Sequence, residues 1–226
     1  MNKLNLFLVA LLALFIALPA SAQVKLGVIG GANLANLNGK DVDGTKFDFS
    51  GRTAFGVGGV LEVGLSENIS LRFAPMYLQK GGEFTDTDPD LGTATFAFKA
   101  GYLEAPALLK VALGTSSIRP YLMAGPTLGF NLSSNLEFSV PGISAKLDAK
   151  EITKSVDLGL AFGAGVSFPV GANSIFVEGR YALGLSDIAK DDTLKFMGED
   201  LVSGDAEVKT RGLQIMAGVS FPLGGK

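Results

Sequence analysis

The sequence has no cysteine, no histidine and no tryptophan, and charged residues fill only 18% of its 226 positions. Without cysteine there is no disulfide, no thiolate nucleophile and no site for an N-terminal lipid anchor. Without histidine, Ser-His and Cys-His catalysis are closed, as are histidine-ligated metal sites. A net charge of −3 leaves no basic face for nucleic acid. Long apolar runs are scarce as well. The one such run opens the chain as MNKLNLFLVALLALFIALPASAQ. Lys3 gives it a positive start, Leu4 to Leu18 an apolar centre, and Ala20-Ser21-Ala22 a small-residue cleavage site. This is the pattern of a secretory signal peptide over residues 1–22, with a mature chain starting at Gln23.

What the chain does have is alternation. Hydrophobic residues make up 47% of it, and outside the first 22 residues they recur mostly at every second position. In FGVGGVLEVGLSENISLRFAP, Phe55, Val57, Leu61, Val63 and Leu65 share one face with Ile69, Leu71 and Phe73. The other face is mostly glycine, with Glu62 on one strand and Arg72 on the next. Period-two alternation of this kind marks β-strands. Eight such segments are expected near 24–35, 53–65, 69–80, 95–111, 118–132, 155–168, 174–185 and 208–221. Each reaches the ~9–11 residues that a tilted membrane strand needs.

The connections sort by length. SEN at 66–68, ALGTSS at 112–117 and PVGAN at 169–173 are short; 36–52, 81–94, 133–154 and 186–207 are long. They alternate strictly along the chain, as in outer-membrane barrels with turns at one rim and loops at the other. Seventeen of the 22 acidic residues fall in the long connections. The expected fold is therefore all-β: an eight-stranded antiparallel up-and-down transmembrane β-barrel over residues 23–226. Its oily face meets lipid and its glycine-rich face meets the lumen.

Parity then assigns the interior charges. Glu62, Arg72, Glu104, Lys110, Arg119, Asp157, Glu178 and Arg180 should all point inward, four acids against four bases. Eight strands leave room for side chains and little more, so the expected arrangement is a neutral plug of ion pairs. Register gives one pair directly. If Leu65 and Ile69 are partners across the SEN turn, Glu62 stands opposite Arg72, since a one-residue slip would turn every side chain to the wrong face. Tyr77 and Tyr181 are expected on the outer face as interfacial aromatics. The acidic run Asp86-Thr87-Asp88-Pro89-Asp90 has the spacing that opens a calcium loop. It lacks the glycine and the closing glutamate of one, and it reads as a solvated loop. No catalytic residue, metal site or cofactor is implied.

Several stretches carry a resemblance: VKLGVIGGANLANLNG after the signal peptide, YLEAPALLKVAL, RPYLMAGPTLGF, EGRYALGLSDI and the closing GLQIMAGVSFPL. With these, the chain resembles the PorT-like outer-membrane β-barrel family of Bacteroidota over nearly all of residues 23–226. The resemblance implies an eight-stranded barrel in the outer membrane and transfers no catalytic residue. Many such barrels end on an aromatic residue; here Phe221 is followed by Pro-Leu-Gly-Gly-Lys.

The function expected from these readings is structural or surface-binding, without catalysis, with the long acidic segments outside and both mature termini in the periplasm. The partners would be outer-membrane lipid and lipopolysaccharide, the barrel-insertion machinery, and an unidentified surface ligand or protein. A narrow small-solute channel is the alternative. A lipid-modifying barrel enzyme is a further one, disfavoured by the missing histidine.

Overall fold

The computed structural model describes residues 23–40, 46–88, 92–114, 118–190, 194–196, 199–202 and 207–223. Residues 1–22, where a signal peptide is expected, Pro89 and Asp90 of the acidic run, and residues 224–226 lie outside them. The strands are β1 (Val24–Lys40), β2 (Lys46–Asp48), β3 (Arg52–Gly64), β4 (Ile69–Phe73), β5 (Met76–Asp88), β6 (Gly92–Ala112), β7 (Arg119–Val140), β8 (Ile143–Asp148), β9 (Val156–Val170), β10 (Asn173–Gly184), β11 (Leu194–Phe196), β12 (Glu199–Val202) and β13 (Glu207–Leu223).

Antiparallel pairing runs β1, β13, β10, β9, β7, β6, β4/β5, β3 and returns to β1, which closes a ring of 8 strands. Closure satisfies the backbone without help from solvent, the condition for sheet in a bilayer. The third stave is β4 and β5 together. Pro75 has no N–H to give the ladder and splits it. The register is nevertheless kept through the break: Glu62 pairs Arg72 and Gly58 pairs Met76.

The faces follow the parity of the sequence. Leu103 and Leu109 on β6, Leu158, Leu160 and Phe162 on β9, and Leu213 and Ile215 on β13 are exposed on the outer wall. Tyr102, Glu104, Leu108 and Lys110 on β6 are buried inside. The inner glycines make room for large lumen side chains. A Cβ on Gly165 would lie 2.5 Å from the Tyr121 ring, and one on Gly56 would lie 2.8 Å from Leu78 Cδ1.

Two of the long connections are not loops. β5 and β6 pair as far as Asp88 and Gly92, and β7 and β8 pair across Pro141-Gly142. Gly142 has a φ of +82°, which suits glycine after proline in a tight turn. β5, β6, β7 and β8 thus form a sheet that rises past the ring. The β-formers there are Thr93 and Thr95 on one face of β6 and Phe96 and Phe98 on the other. The oily alternation ends at 80 and 132 and resumes at 95 and 155, so 81–94 and 133–154 read as loops from sequence. Glu83, Asp86, Asp88, Glu137 and Asp148 are instead strand residues. Where the sheet leaves the ring, Leu132 is an extra residue on β7, opposite the step from Gly101 to Tyr102. This bulge inverts the parity of β7, so that Asn131 and Ser134 both face in and bond each other at 2.8 Å.

Candidate functional site: the charged lumen and the outer groove

The lumen is filled in layers. Nearest the short turns, Lys110 Nζ lies 2.9 and 3.0 Å from the two carboxylate oxygens of Glu62, and Ser70 donates to Glu62 at 3.3 Å. Arg72, directly opposite Glu62 in the ladder, is 3.8 Å from it. Its closer partner is across the lumen: Arg72 Nη1 sits 3.2 Å from Glu178 Oε2. Glu178 also accepts from Arg180 and, at 2.6 Å, from the Tyr121 hydroxyl. Arg72 stacks 4.2 Å over the Phe176 ring, and Lys110 lies 4.3 Å over that of Tyr121. The side chains of Arg72, Glu178 and Arg180 are at most 1% exposed.

Toward the other rim a second network forms around Lys80. Its Nζ lies 2.5 Å from Glu104 Oε2 and 3.0 Å from Asp157 Oδ2. Asp157 also accepts from Thr210 at 2.8 Å and Ser186 at 3.2 Å. Between the two networks the inward residues of two neighbouring staves are apolar. Ala74, Met76 and Leu78 separate Arg72 from Lys80 along one stave; Pro106 and Leu108 separate Lys110 from Glu104 along the next. Met76, Leu78, Phe176 and Met216 belong to one buried cluster.

The structure thus brings together Glu62, Arg72, Lys110, Glu178 and Arg180 in one network, and Glu104 and Asp157 in another. Arg119 joins neither. It has the inward parity but sits exposed at the open short-turn mouth, and no acid is within ion-pair distance among the described residues. The fourth buried base is Lys80. Its even number, shared with Arg72, Met76 and Leu78, was the available signal. It was overlooked because position 80 fell at the expected end of the strand.

The outer wall has its own features. Tyr77 packs against Phe55 at 5.8 Å and Tyr181 against Phe162 at 5.5 Å, all four on the lipid-facing side. Above Tyr77 the wall turns polar, and a groove of about 220 Å³ is lined by Arg52, Tyr77, Gln79, Lys99, Gly101, Ser133, Asn135, Glu137 and Lys146. Lys99 Nζ is 2.5 Å from Glu137 Oε2 and Lys146 Nζ is 3.9 Å from Oε1. Glu137 lies above the apolar belt. The hydrogen bond from Lys99, with the charges of Lys99, Lys146 and Arg52, holds its carboxyl below the usual range.

Among known structures, the chain is similar to Neisserial surface protein A (16% identity, 90% of this chain and 99% of that one, TM-score 0.44). It is also similar to the outer membrane protein OprG of Pseudomonas aeruginosa (14%, 87% and 95%, TM-score 0.48). A third is Ail, the attachment invasion locus protein of Yersinia pestis, in complex with the heparin analogue sucrose octasulfate (18%, 88% and 99%, TM-score 0.39). No curated protein matches. The assignment is carried by a family model, described as an outer membrane protein beta-barrel domain, which matches residues 19–190. That is well over half of the sequence, on a closed ring of eight staves with an oily outside and an ion-paired inside: the chain belongs to the outer membrane protein beta-barrel domain family.

Proposed function

We propose that this protein is a non-conducting, non-catalytic barrel of the outer membrane that displays a β-sheet and acid-rich segments at the cell surface. In this reading residues 1–22 direct export. The rim with the short turns, where Val24 and Leu223 pair, faces the periplasm, so that β5 to β8 rise outside. The PorT-like relationship and the dependence on barrel-insertion machinery belong to the same proposal. The surface partner is a ligand, a protein or lipopolysaccharide met by the outward rim.

The observation that carries the reading is the layered plug. A solute would have to break the network on Glu178, cross the layer of Met76, Leu78 and Leu108, and then break the network on Lys80. A small barrel filled in this way has no aqueous lumen. The test is conductance of the purified protein in planar bilayers. The expected result is no large, stable pore; reproducible passage of sugar-sized solutes would overturn it. The narrow channel and the lipid enzyme find no comparable support in the geometry.

A further inference from the structure

We propose that the outer groove between β3 and β8 binds the phosphate of a phosphorylated lipid headgroup in the outer leaflet, through Arg52, Lys99 and Lys146.

On the outer face of β6 the series Leu109, Ala107, Ala105, Leu103 ends at Gly101 and continues as Lys99. On β5 it passes from Tyr77 to Gln79, and on β7 from Leu132 to Ser133, Asn135 and Glu137. The groove therefore opens sideways where apolar wall becomes polar wall. Acyl chains there would meet Leu103 and the Phe55–Tyr77 pair, with the headgroup level with Lys99. A ligand free in solution has no need of that adjacency.

Three cations share the groove with one acid, an excess of two. Two other lysines at this rim are each matched by an acid: Lys154 by Asp187 at 2.6 Å and Lys209 by Glu207 at 2.5 Å. The excess is also loosely held. Arg52 donates to Lys80 O and Gln79 Oε1 at 3.4 and 3.5 Å, the long end of the range, and the Lys146 side chain is 62% exposed. Such cations are free to reorient onto an anion, and an arginine with two lysines suits a phosphate.

β3 and β5 pair only from Gly56 to Gly58, and the next contact between these staves is the Ser50–Glu83 bridge. In the gap the ladder is open, and the Gln79 and Lys80 carbonyls accept from the side chains of Asn33 and Arg52. The gap brings the Arg52 guanidinium to the outer wall. Gly101 completes the floor: a Cβ there would lie 2.8 Å from the Tyr77 hydroxyl and 3.0 Å from Ser133 Oγ. Two hydroxyl donors are thus held beside the cations.

The inference rests on the outward orientation proposed above and is independent of the closed lumen, so a conductance result leaves it standing. The test is native mass spectrometry of the full mature chain with a bisphosphorylated glucosamine lipid, its dephosphorylated counterpart, or inorganic phosphate. The expected result is selective retention of the bisphosphorylated lipid, falling about tenfold in K99Q/K146Q, where two cationic contacts are lost. E137Q removes the competing acid and should raise retention; K190Q, whose ammonium serves the Glu151 carbonyl, should not change it. If the double variant does not fold, K146Q alone reads the same loss in smaller measure. Equal retention of the dephosphorylated lipid, undiminished retention in the variants, or full displacement by inorganic phosphate would overturn the proposal.

Discussion

Glu178→Gln should be more damaging than Arg72→Met, although register alone points to Arg72 as the residue whose loss strands an acid. In the folded barrel Glu178 is a hub: Arg72, Arg180 and Tyr121 all turn to it. Neutralising it leaves Arg180 with no other acid among the described residues, and leaves Arg72 with Glu62 at 3.8 Å. Both guanidinium groups are buried and cannot reach water. Breaking a buried pair by removing one partner costs about 3–5 kcal/mol, and here two bases are stranded, so the upper end is expected. Arg72→Met strands no acid, because Glu178 keeps Arg180 and Tyr121, and Glu62 keeps Lys110. Methionine also retains the packing on Phe176. The expected cost is about 1–2 kcal/mol, near that of a lost charged hydrogen bond. The double variant should lie below the sum of the singles by more than ~1 kcal/mol, as coupled neighbours do. Tryptophan fluorescence is not available in this chain, so unfolding in lipid vesicles is followed by far-UV circular dichroism and by heat-dependent gel mobility. Equal or greater damage from Arg72→Met, or additive singles, would refute the hub.

Lys80→Met should cost about 3–5 kcal/mol in the same assay, because Glu104 and Asp157 are left facing each other without a base; a neutral effect would sink the second network. Gly31→Val should prevent closure of the β1–β13 seam, since a Cβ there would press on the Ile215 carbonyl and lie 2.8 Å from Met216 Cα. Gly30→Ala, whose Cβ would lie in ordinary contact 3.5 Å from the Gly56 carbonyl oxygen, should still give the heat-modifiable folded band. The Glu137 carboxyl should titrate below an ordinary glutamate when followed by carbon NMR of the folded protein. Because its folded pKa is depressed, its contribution is present above the unfolded value and is lost as pH falls through the folded one; a midpoint at or above the ordinary value would remove the Lys99 contact.

The strand faces, the ring and seven of the eight inner charges follow from parity, because a two-residue period is a local property of the chain. What parity cannot give is the partner across the lumen. Glu62 and Arg72 are correctly opposed in the ladder, yet each has a nearer partner, Lys110 on β6 and Glu178 on β10. Those contacts exist only once distant staves close the ring. Arg119 was misplaced for a related reason: parity sets direction and says nothing of depth, and a residue at the mouth is wet. The rising sheet was hidden by a different confusion. The period of two continues there in threonine rather than in oily residues: Thr85, Thr87, Thr93 and Thr95 pair across the hairpin at 3.4 and 3.2 Å.

The buried ion pairs themselves call for a physical reason, since a buried salt bridge is weak evidence of stability and an apolar replacement is often better tolerated. The reason lies in the two faces of the strand. In a soluble sheet, water and core distinguish the faces. In this barrel the outer face must be oily, and an inner face of Met, Leu and Gly alone would be nearly as oily. A strand slipped by one residue would then lose little, because both faces would suit lipid. Inner charges remove that ambiguity. Slipping β4 by one position would carry Arg72 into the bilayer, where a base at the midplane costs about 2–4 kcal/mol. It would also leave Glu178 without its cross-lumen partner. Lys80, Lys110 and Arg180 apply the same kind of penalty on β5, β6 and β10, and the acids Glu104 and Asp157 a smaller one on β6 and β9. The staves with few or no inner charges, β1 and β13, are fixed instead by sterics: Gly27, Gly31 and Gly218 sit where a side chain would strike the neighbouring backbone. Charge on one side of the ring and glycine on the other thus specify one register, and the ion-paired lumen is a consequence of how that register is held.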